Sequence, residues 1–518
     1  MSSITIHPTS EGKALSMPWK KAIAMGRAYE LLREDALEHL RFVQREIGFH
    51  HCRFHGLFHD DMAVVARTSD GKICYQWHQI DKVIDALREM SLRPFVELGP
   101  MPAALASGNQ TFFVWKMNVT PPRDWQEWAD LVEAFARHVI DRYGIDEVRR
   151  WYFEVWNEPN LEAFWSGTQE EYWQLYDHAA RALKGIDGQL RVGGPATAQA
   201  AWMPEFLQHC QDTQTPVDFV TTHSYPQDEF VLYPKGESPS AKGDYLKDVF
   251  QRVRETVDAF APGMEVHWTE WNPLSAGPDG NVDWVHNPAV DSAYGGAFVA
   301  RHCIEADDLC ESMAYWTASD IFEELGMPHA PFTGTYGLLT IHGIPKATFH
   351  AMVLVKRMEG DRLKIGHSQP LPPGCGVIAT RTHESIRMLL WNCPRPGDPQ
   401  ASAWKSSLSL PNPFGRAILV STRLGAGSGS AYETWTALGR PHNLSPIEEK
   451  LLRAHAQPAM DFQVIENSAA AVEIPIGLGV DELLSMEIRA AGGPGPEKGA
   501  KLADIAIWDA GMGEAAKL

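Results

Sequence analysis

From about residue 20 to about residue 320 the chain alternates two patterns: short apolar runs of strand length, and longer stretches whose apolar residues recur every three to four positions. Eight short runs stand out: "AIAMGRA" (22–28), "HHCRFHG" (50–56), "RPFVELGP" (93–100), "WYFEVWNEP" (151–159), "LRVGGPA" (190–196), "DFVTTHSYP" (218–226), "EVHWTEWN" (265–272) and "SMAYWTASD" (312–320). Strands separated by amphipathic helical segments predict an α/β fold, a (β/α)8 TIM barrel. One connecting segment, "DWQEWADLVEAFARHVIDRYG", carries the helical pattern in full. Asp124 and Glu127 have capping-box spacing, Trp128, Leu131, Val132, Phe135 and Val139 share one face, and Gly144 stands where a helix stops. This helix is predicted to cover the barrel between its third and fourth strands.

Beyond about residue 345 the pattern changes to short β-rich runs such as "CGVIATRT", "SIRMLLWNC" and "AILVSTRL", separated by Pro, Gly and Ser stretches. That pattern predicts an accessory all-β sandwich. The expected division is an N-terminal strand at 1–14 joining the sandwich, the barrel at 15–345, the sandwich at 346–490, and a linker-like or disordered tail at 491–518.

Composition narrows the range of functions. A chain that is 44% hydrophobic and 22% charged is globular, and its 18 Trp suit the binding of flat apolar faces such as those of sugar rings. The formal net charge of -20 argues against nucleic acid or an anionic membrane as a partner. Seven scattered cysteines without a CxxC pair fit reduced thiols better than a disulfide framework or a zinc site. The N-terminus "MSSITIHPTSEGK" lacks the pattern of a secretion signal, and there is no uncharged apolar stretch of 18 residues, so a cytoplasmic location is expected.

The candidate chemistry lies at strand ends. "FEVWNEPN" (153–160) runs from an apolar strand directly into Asn157 and Glu158, both costly to bury. Three runs later "HWTEWN" repeats the device with Glu270. The C-terminal strand ends of a (β/α)8 barrel form its active-site face. Two carboxylates facing each other there supply what glycoside hydrolysis needs: an acid for the leaving oxygen and a carboxylate for the anomeric carbon. Either Glu alone reads equally well as an ordinary strand-end residue in a salt bridge; the matched pair favours catalysis.

Over nearly the whole chain, to about residue 490, the sequence resembles glycoside hydrolase family 39, and within it the β-xylosidases. The resemblance rests on "RFHGLFHDDM", "IDKVIDALREMSLRPFVELGPMP", "LASGNQTFFVWKMNVTPP", "FEVWNEPNLEAFW", "VGGPA", "VDFVTTHSYP", "HWTEWN" and "YWTASDIFEE". It implies that Glu158 is the general acid/base, Glu270 the nucleophile, and Asn157 the amide that holds the sugar 2-hydroxyl. It also implies that His223 and Tyr225 flank the nucleophile, that Trp316, Glu323 and Glu324 line the terminal-sugar pocket, and that Arg53, His55 and Trp115 lie near it. "GMPHAPFTGTYG" and the C-terminus depart from the family pattern.

The expected activity is exo-acting, retaining β-D-xylosidase hydrolysis of xylo-oligosaccharides such as xylobiose, with no cofactor and no metal, and with the two carboxyl groups about 5 to 5.5 Å apart. His51, His55 and His59 with Asp60 and Asp61 invite a metal reading, but Arg53 between the imidazoles would repel a divalent cation, so hydrogen-bonded histidines are expected instead. An α-L-iduronidase-like activity is the alternative within the same family; it would need a cation for a uronate where this chain places Glu323 and Glu324. A non-catalytic carbohydrate-binding protein is the alternative outside enzymes, and it would have no use for an acid and a nucleophile together. The sequence leaves the oligomeric state open.

Overall fold

A computed structural model describes residues 2–233, 246–274, 288–324, 326–466 and 471–492. The expected tail at 491–518 lies outside the described residues from 493 onward.

Eight parallel strands close into a barrel, and each comes from one of the eight predicted runs: Ala22–Arg27, His51–His55, Arg93–Leu98, Tyr152–Val155, Arg191–Thr197, Phe219–Ser224, Glu265–Trp271 and Ser312–Tyr315. The interior is filled in layers, as alternation along strands requires. Low in the barrel, Phe95 stacks on Tyr152 with centroids 4.7 Å apart, and Phe219 and His267 meet Tyr152 edge-on at 5.1 Å and 4.6 Å. Two residues further along strands three and four the inward positions become charged, as Glu97 and Glu154, and the buried Arg53 of strand two joins Glu154 at 2.6 Å.

Strand seven departs from strict alternation. Thr222 pairs with Trp268 but the next pair is His223 with Glu270, and on the other side Trp268 pairs with Met313 and Trp271 with Tyr315. Strand seven therefore carries one more residue than either neighbour, a β-bulge, which lets consecutive side chains reach the same face. Thr269 and Glu270 both point inward as a result: Thr269 donates to Glu154 at 2.8 Å while Glu270 accepts from Arg53 at 2.8 Å.

The helix Trp125–Tyr143 covers strands three and four with Trp128, Leu131, Val132, Phe135 and Val139 buried. Its cap is simpler than a capping box. Asp124 accepts from the Gln126 N–H at 2.8 Å, whereas Glu127 turns away to pair with Arg67 at 2.7 Å, a charge partner that competes for its carboxylate.

Among the described residues, ten strands form the second unit, a mixed sheet with its own core of residues such as Ile6, Met388, Leu408, Leu419 and Ile488. The N-terminal strand Ser2–Ala14 lies inside this sheet, antiparallel to Asp361–His367 and parallel to Trp404–Pro411. Residues 346–360, expected to open the β-rich region, contain instead a helix, Ala347–Lys356, packed on the helix Ala293–Glu305. "ATFHAMVLVK" is apolar nearly all round and free of Gly and Pro, as a helix buried between layers should be. Gly296 allows that contact, because a Cβ there would stand 2.9 Å from the Ala347 carbonyl oxygen and 2.7 Å from a Leu424 methyl.

Candidate active site

Glu158 and Glu270 meet at the C-terminal mouth of the barrel. Behind the fourth strand the chain turns through left-handed conformations at Trp156 (φ 72°) and Glu158 (φ 46°), while Trp156 buries its ring and donates to the Phe164 carbonyl at 3.0 Å. Bulky residues with positive φ are strained, and the cost is borne where the surroundings fix the chain. Here the Glu158 N–H donates to the Ala196 carbonyl at 2.8 Å, and Asn160 holds the backbone of Ala198 from both sides, at 2.9 and 3.2 Å. The turn aims the Glu158 carboxyl at the cavity.

Glu270 is held on both oxygens. Arg53 donates to Oε1 at 2.8 Å, and the Tyr225 hydroxyl donates to Oε2 at 2.6 Å. Arg53 is the hub of the site: besides Glu270 it reaches Glu154 at 2.6 Å, the Asn157 side-chain oxygen Oδ1 at 2.8 Å and Glu97 at 3.1 Å. Burial works against its charge, but the carboxylates of Glu154, Glu97 and Glu270 outweigh burial and raise its pKa further.

Glu158 is placed differently. Its Oε1 lies 2.8 Å from His223 Nδ1, and burial pushes its pKa up to about 8, with Arg53 opposing and Glu97 adding to the rise. Burial also lowers His223 to about 4, so the imidazole beside the acid is neutral at neutral pH. One atom from each of Glu158, His223 and Glu270 falls within 4.8 Å of the other two. That spacing alone would also admit a cation. The chemistry favours acid–base use, because Arg53 already neutralises Glu270 and Glu158 carries a proton.

Around the pair lies a cavity of about 550 Å3. Of the residues expected at the site, His55, Asn157, Glu158, Tyr225, Glu270, Trp316 and Glu324 line it, while Arg53 and His223 support the carboxylates from the wall. His55 packs on Trp316 with centroids 4.5 Å apart and turns Nε2 toward Glu270 at 3.4 Å and Glu324 at 3.6 Å. Burial lowers His55 to about 3, and burial, followed by the neighbouring carboxyl groups with Glu270 first among them, holds Glu324 well above the ordinary carboxylate range.

Trp115 and Glu323 are absent from the lining, and both contact Arg27 instead. Its guanidinium lies 5.0 Å over the Trp115 ring and pairs with Glu323, which also meets Arg33 at 3.5 Å. His51, His55 and His59 go to separate partners: the backbone carbonyls of Lys21 and Arg150, Glu97, and Asp61.

Several residues at the cavity and its charge network are not singled out by the sequence. Glu97 and Glu154 sit inside apolar strand runs at the inward positions two residues after Phe95 and Tyr152, and a charge in such a place was the available signal. Glu97 pairs with His55 Nδ1 at 2.5 Å, and burial pushes it up to about 8. Phe112 ends a two-residue strand and Phe113 and Phe164 lie in turns, segments too short to give a periodic signal.

Comparison with known proteins agrees with this geometry. The sequence model for glycosyl hydrolases family 39 matches residues 2–470. A β-xylosidase of Caldicellulosiruptor saccharolyticus is 42% identical over 379 residues, covering 72% of this chain and 75% of that protein. One from Geobacillus stearothermophilus is 35% identical over 492 residues, covering 93% and 94%. The crystal structure of a monomeric β-xylosidase from Caulobacter crescentus CB15 aligns with a TM-score of 0.83 at 33% identity, over 95% of this chain and 100% of that one. A closed barrel with two carboxyl groups at its mouth, matched by the family model over residues 2–470, places the chain in glycosyl hydrolase family 39 as a glycoside hydrolase.

Proposed function

We propose that the protein is an exo-acting, retaining β-D-xylosidase that removes terminal non-reducing xylose from xylo-oligosaccharides such as xylobiose. The observation that carries this reading is the unlike treatment of two neighbouring carboxyl groups: Glu270 is hydrogen-bonded on both oxygens by Arg53 and Tyr225, whereas burial keeps Glu158 protonated to about pH 8.

In the proposed cycle Glu270 attacks the anomeric carbon as Glu158 gives its proton to the leaving oxygen. The deprotonated Glu158 then takes a proton from water, which releases xylose with its original configuration. An inverting pair would need about 6.5–9.5 Å for an intervening water, and the separation here, within 4.8 Å between nearest oxygens, supports direct attack. A neutral His223 with its proton on Nδ1 donates to Glu158 Oε1 and leaves the other oxygen for the acid proton. Asn157, fixed by Arg53, presents its amide nitrogen for the sugar 2-hydroxyl, and Trp316 offers a ring face to the pyranose.

Exo action is supported by the cavity wall. The Val114 N–H donates to the Glu324 carbonyl at 3.0 Å, joining the loop after strand three to the loop after strand eight over strands one and two. A neutral pentose is favoured over a uronate because, among the described residues, no Lys or Arg lines the cavity. All seven cysteines are free thiols, which supports a reducing, cytoplasmic setting, and among the described residues no helix is long and apolar enough to cross a membrane.

The test is hydrolysis of an aryl β-D-xyloside by wild type and Glu270→Ala, with azide added to the variant. Activity in wild type, its loss in the variant and azide rescue as the α-xylosyl product are expected. A wild type inactive on xylosides sinks the substrate assignment, and rescue with the β product sinks the nucleophile assignment.

A further inference from the structure

We infer that Glu30 is a positioning residue for the terminal-sugar pocket: its buried carboxyl fixes the backbone that delivers Glu324 to the cavity. The inference deepens the proposed function and rests on it in one respect, that the sugar held beside Glu324 is the one released.

Glu30 stands at the seam where the barrel closes. Among the described residues, strand eight pairs with strand one through a single residue pair, Tyr315 with Ile23, so the chain beyond it has little ladder to follow. The Ala318 N–H reaches the Ala24 carbonyl at 2.8 Å, and further on the Glu323 N–H goes to a side chain, donating to Glu30 Oε1 at 2.8 Å. Glu30 Oε2 accepts the Arg27 N–H at 3.1 Å, so one carboxyl ties the end of strand one to the segment after strand eight. Glu30 is almost wholly out of contact with solvent, a place that an apolar side chain would fill at lower cost if filling were all it did. Gly26 makes the room: a Cβ there would overlap Glu30 Oε2 and stand 2.8 Å from the Phe322 ring.

Consecutive residues in this segment turn opposite ways. Glu323 goes to Arg27 at 3.0 Å and Arg33 at 3.5 Å, whereas Glu324 lines the cavity with a carboxyl oxygen 3.6 Å from His55 Nε2. The bonds on either side of this pair hold the alternation. Glu30 takes the Glu323 N–H, and the Val114 N–H donates to the Glu324 carbonyl at 3.0 Å. Without the Glu30 carboxyl the first of these is lost and Glu323 is held at the seam through its side chain alone, so the backbone turns and Glu324 withdraws from the sugar.

The test is a double-mutant cycle on an aryl β-D-xyloside with Glu30→Ala, Glu324→Ala and the two together. Glu30→Ala should raise KM about tenfold with kcat within about threefold of wild type, because contact with the bound sugar is lost while the Glu158 and Glu270 pair is untouched. Glu30→Gln keeps the length and an acceptor for the Glu323 N–H, and should bring KM back to within about threefold of wild type. With Glu324→Ala already present, Glu30→Ala should raise KM by less than about twofold more, since the group it positions is gone. Glu30→Asp, one methylene too short to bridge both N–H groups, repeats the cycle with the acid kept and decides the matter if Glu30→Ala does not fold. An unchanged KM in Glu30→Ala, a loss confined to kcat, or the same rise in KM with and without Glu324 overturns the inference. A wild type inactive on xylosides but active on another aryl glycoside overturns the xylose assignment alone, and the cycle on that glycoside still decides the role of Glu30.

Discussion

The Tyr225 hydroxyl sits 2.6 Å from Glu270 Oε2, on the oxygen that Arg53 does not hold. In the proposed cycle, attack on the anomeric carbon draws charge off this carboxylate, so the hydroxyl would both order it and share the change. Hydrogen bonds to charged groups contribute about 1.5–3 kcal/mol, so Tyr225→Phe should lower kcat/KM on aryl xyloside by roughly tenfold to a hundredfold. Circular dichroism should stay at the wild-type signal. Steady-state kinetics check this, and an unchanged kcat/KM would mean that Arg53 alone positions the nucleophile.

Glu158 makes a two-part pH prediction. Its folded pKa is raised to about 8, above the ordinary carboxylic value, so it is protonated at neutral pH and loses its proton as the pH rises through about 8. Accordingly kcat/KM should fall above about pH 8. The same shift acts on stability: protonation of the folded state is retained where the unfolded chain has already ionised, so the contribution is full below the ordinary carboxylic value and is lost as pH rises through about 8. Glu158→Gln, which does not titrate, should therefore gain in Tm relative to wild type between pH 5 and pH 8. A Tm difference constant with pH would remove the raised pKa.

How much of this was open to a reader of the sequence differs by residue. Glu158 and Glu270 were placed by position alone, each following an apolar strand run, and all eight runs became barrel strands. The reason Glu270 faces inward was not legible. Period-two alternation from His267 and Thr269 would turn it outward, and the bulge that turns it back appears only in the pairing of strand seven with both neighbours. Trp115 and Glu323 stand beside the cavity but not in its lining, and nothing in the sequence points to Arg27, distant from both, which lies over the Trp115 ring and pairs with Glu323. The helix Ala347–Lys356 was hidden by composition, since a helix buried on all sides loses the periodicity that marks an amphipathic one.

Glu324 lines the cavity, and burial followed by four neighbouring carboxyl groups holds its pKa well above the ordinary carboxylate range, which favours a hydrogen-bonding role for it over a charged one. Glu324→Gln keeps a donor and an acceptor in the same place and should alter KM by less than about threefold. Glu324→Ala removes both and should raise KM about tenfold or more. Michaelis constants for aryl xyloside in the three proteins decide it, and a Gln variant as impaired as the Ala variant would show that the carboxylate charge is what the sugar meets.

The segment that carries Trp316, Glu324 and Tyr336 into the cavity is anchored from below by a buried charge cluster, and its stability should depend on one cation. Lys346 Nζ lies 2.5 Å from Asp291 and 2.8 Å from Asp320, with all three side chains out of contact with solvent. The two carboxylates in turn accept the Gly334 and Gly337 N–H groups, each at 2.7 Å, and Lys346 donates to the Thr335 carbonyl at 2.6 Å. Lys346→Met fills a similar volume but leaves two carboxyl groups facing each other without a counter-ion, a loss of about 3–5 kcal/mol for a broken buried pair. The urea midpoint of the variant should drop accordingly. Adding Asp291→Asn and Asp320→Asn should recover a large part of it, because the uncompensated charge, and not the missing side chain, carries most of the cost. A triple variant no more stable than Lys346→Met would show that the ammonium acts chiefly through its backbone contact at Thr335.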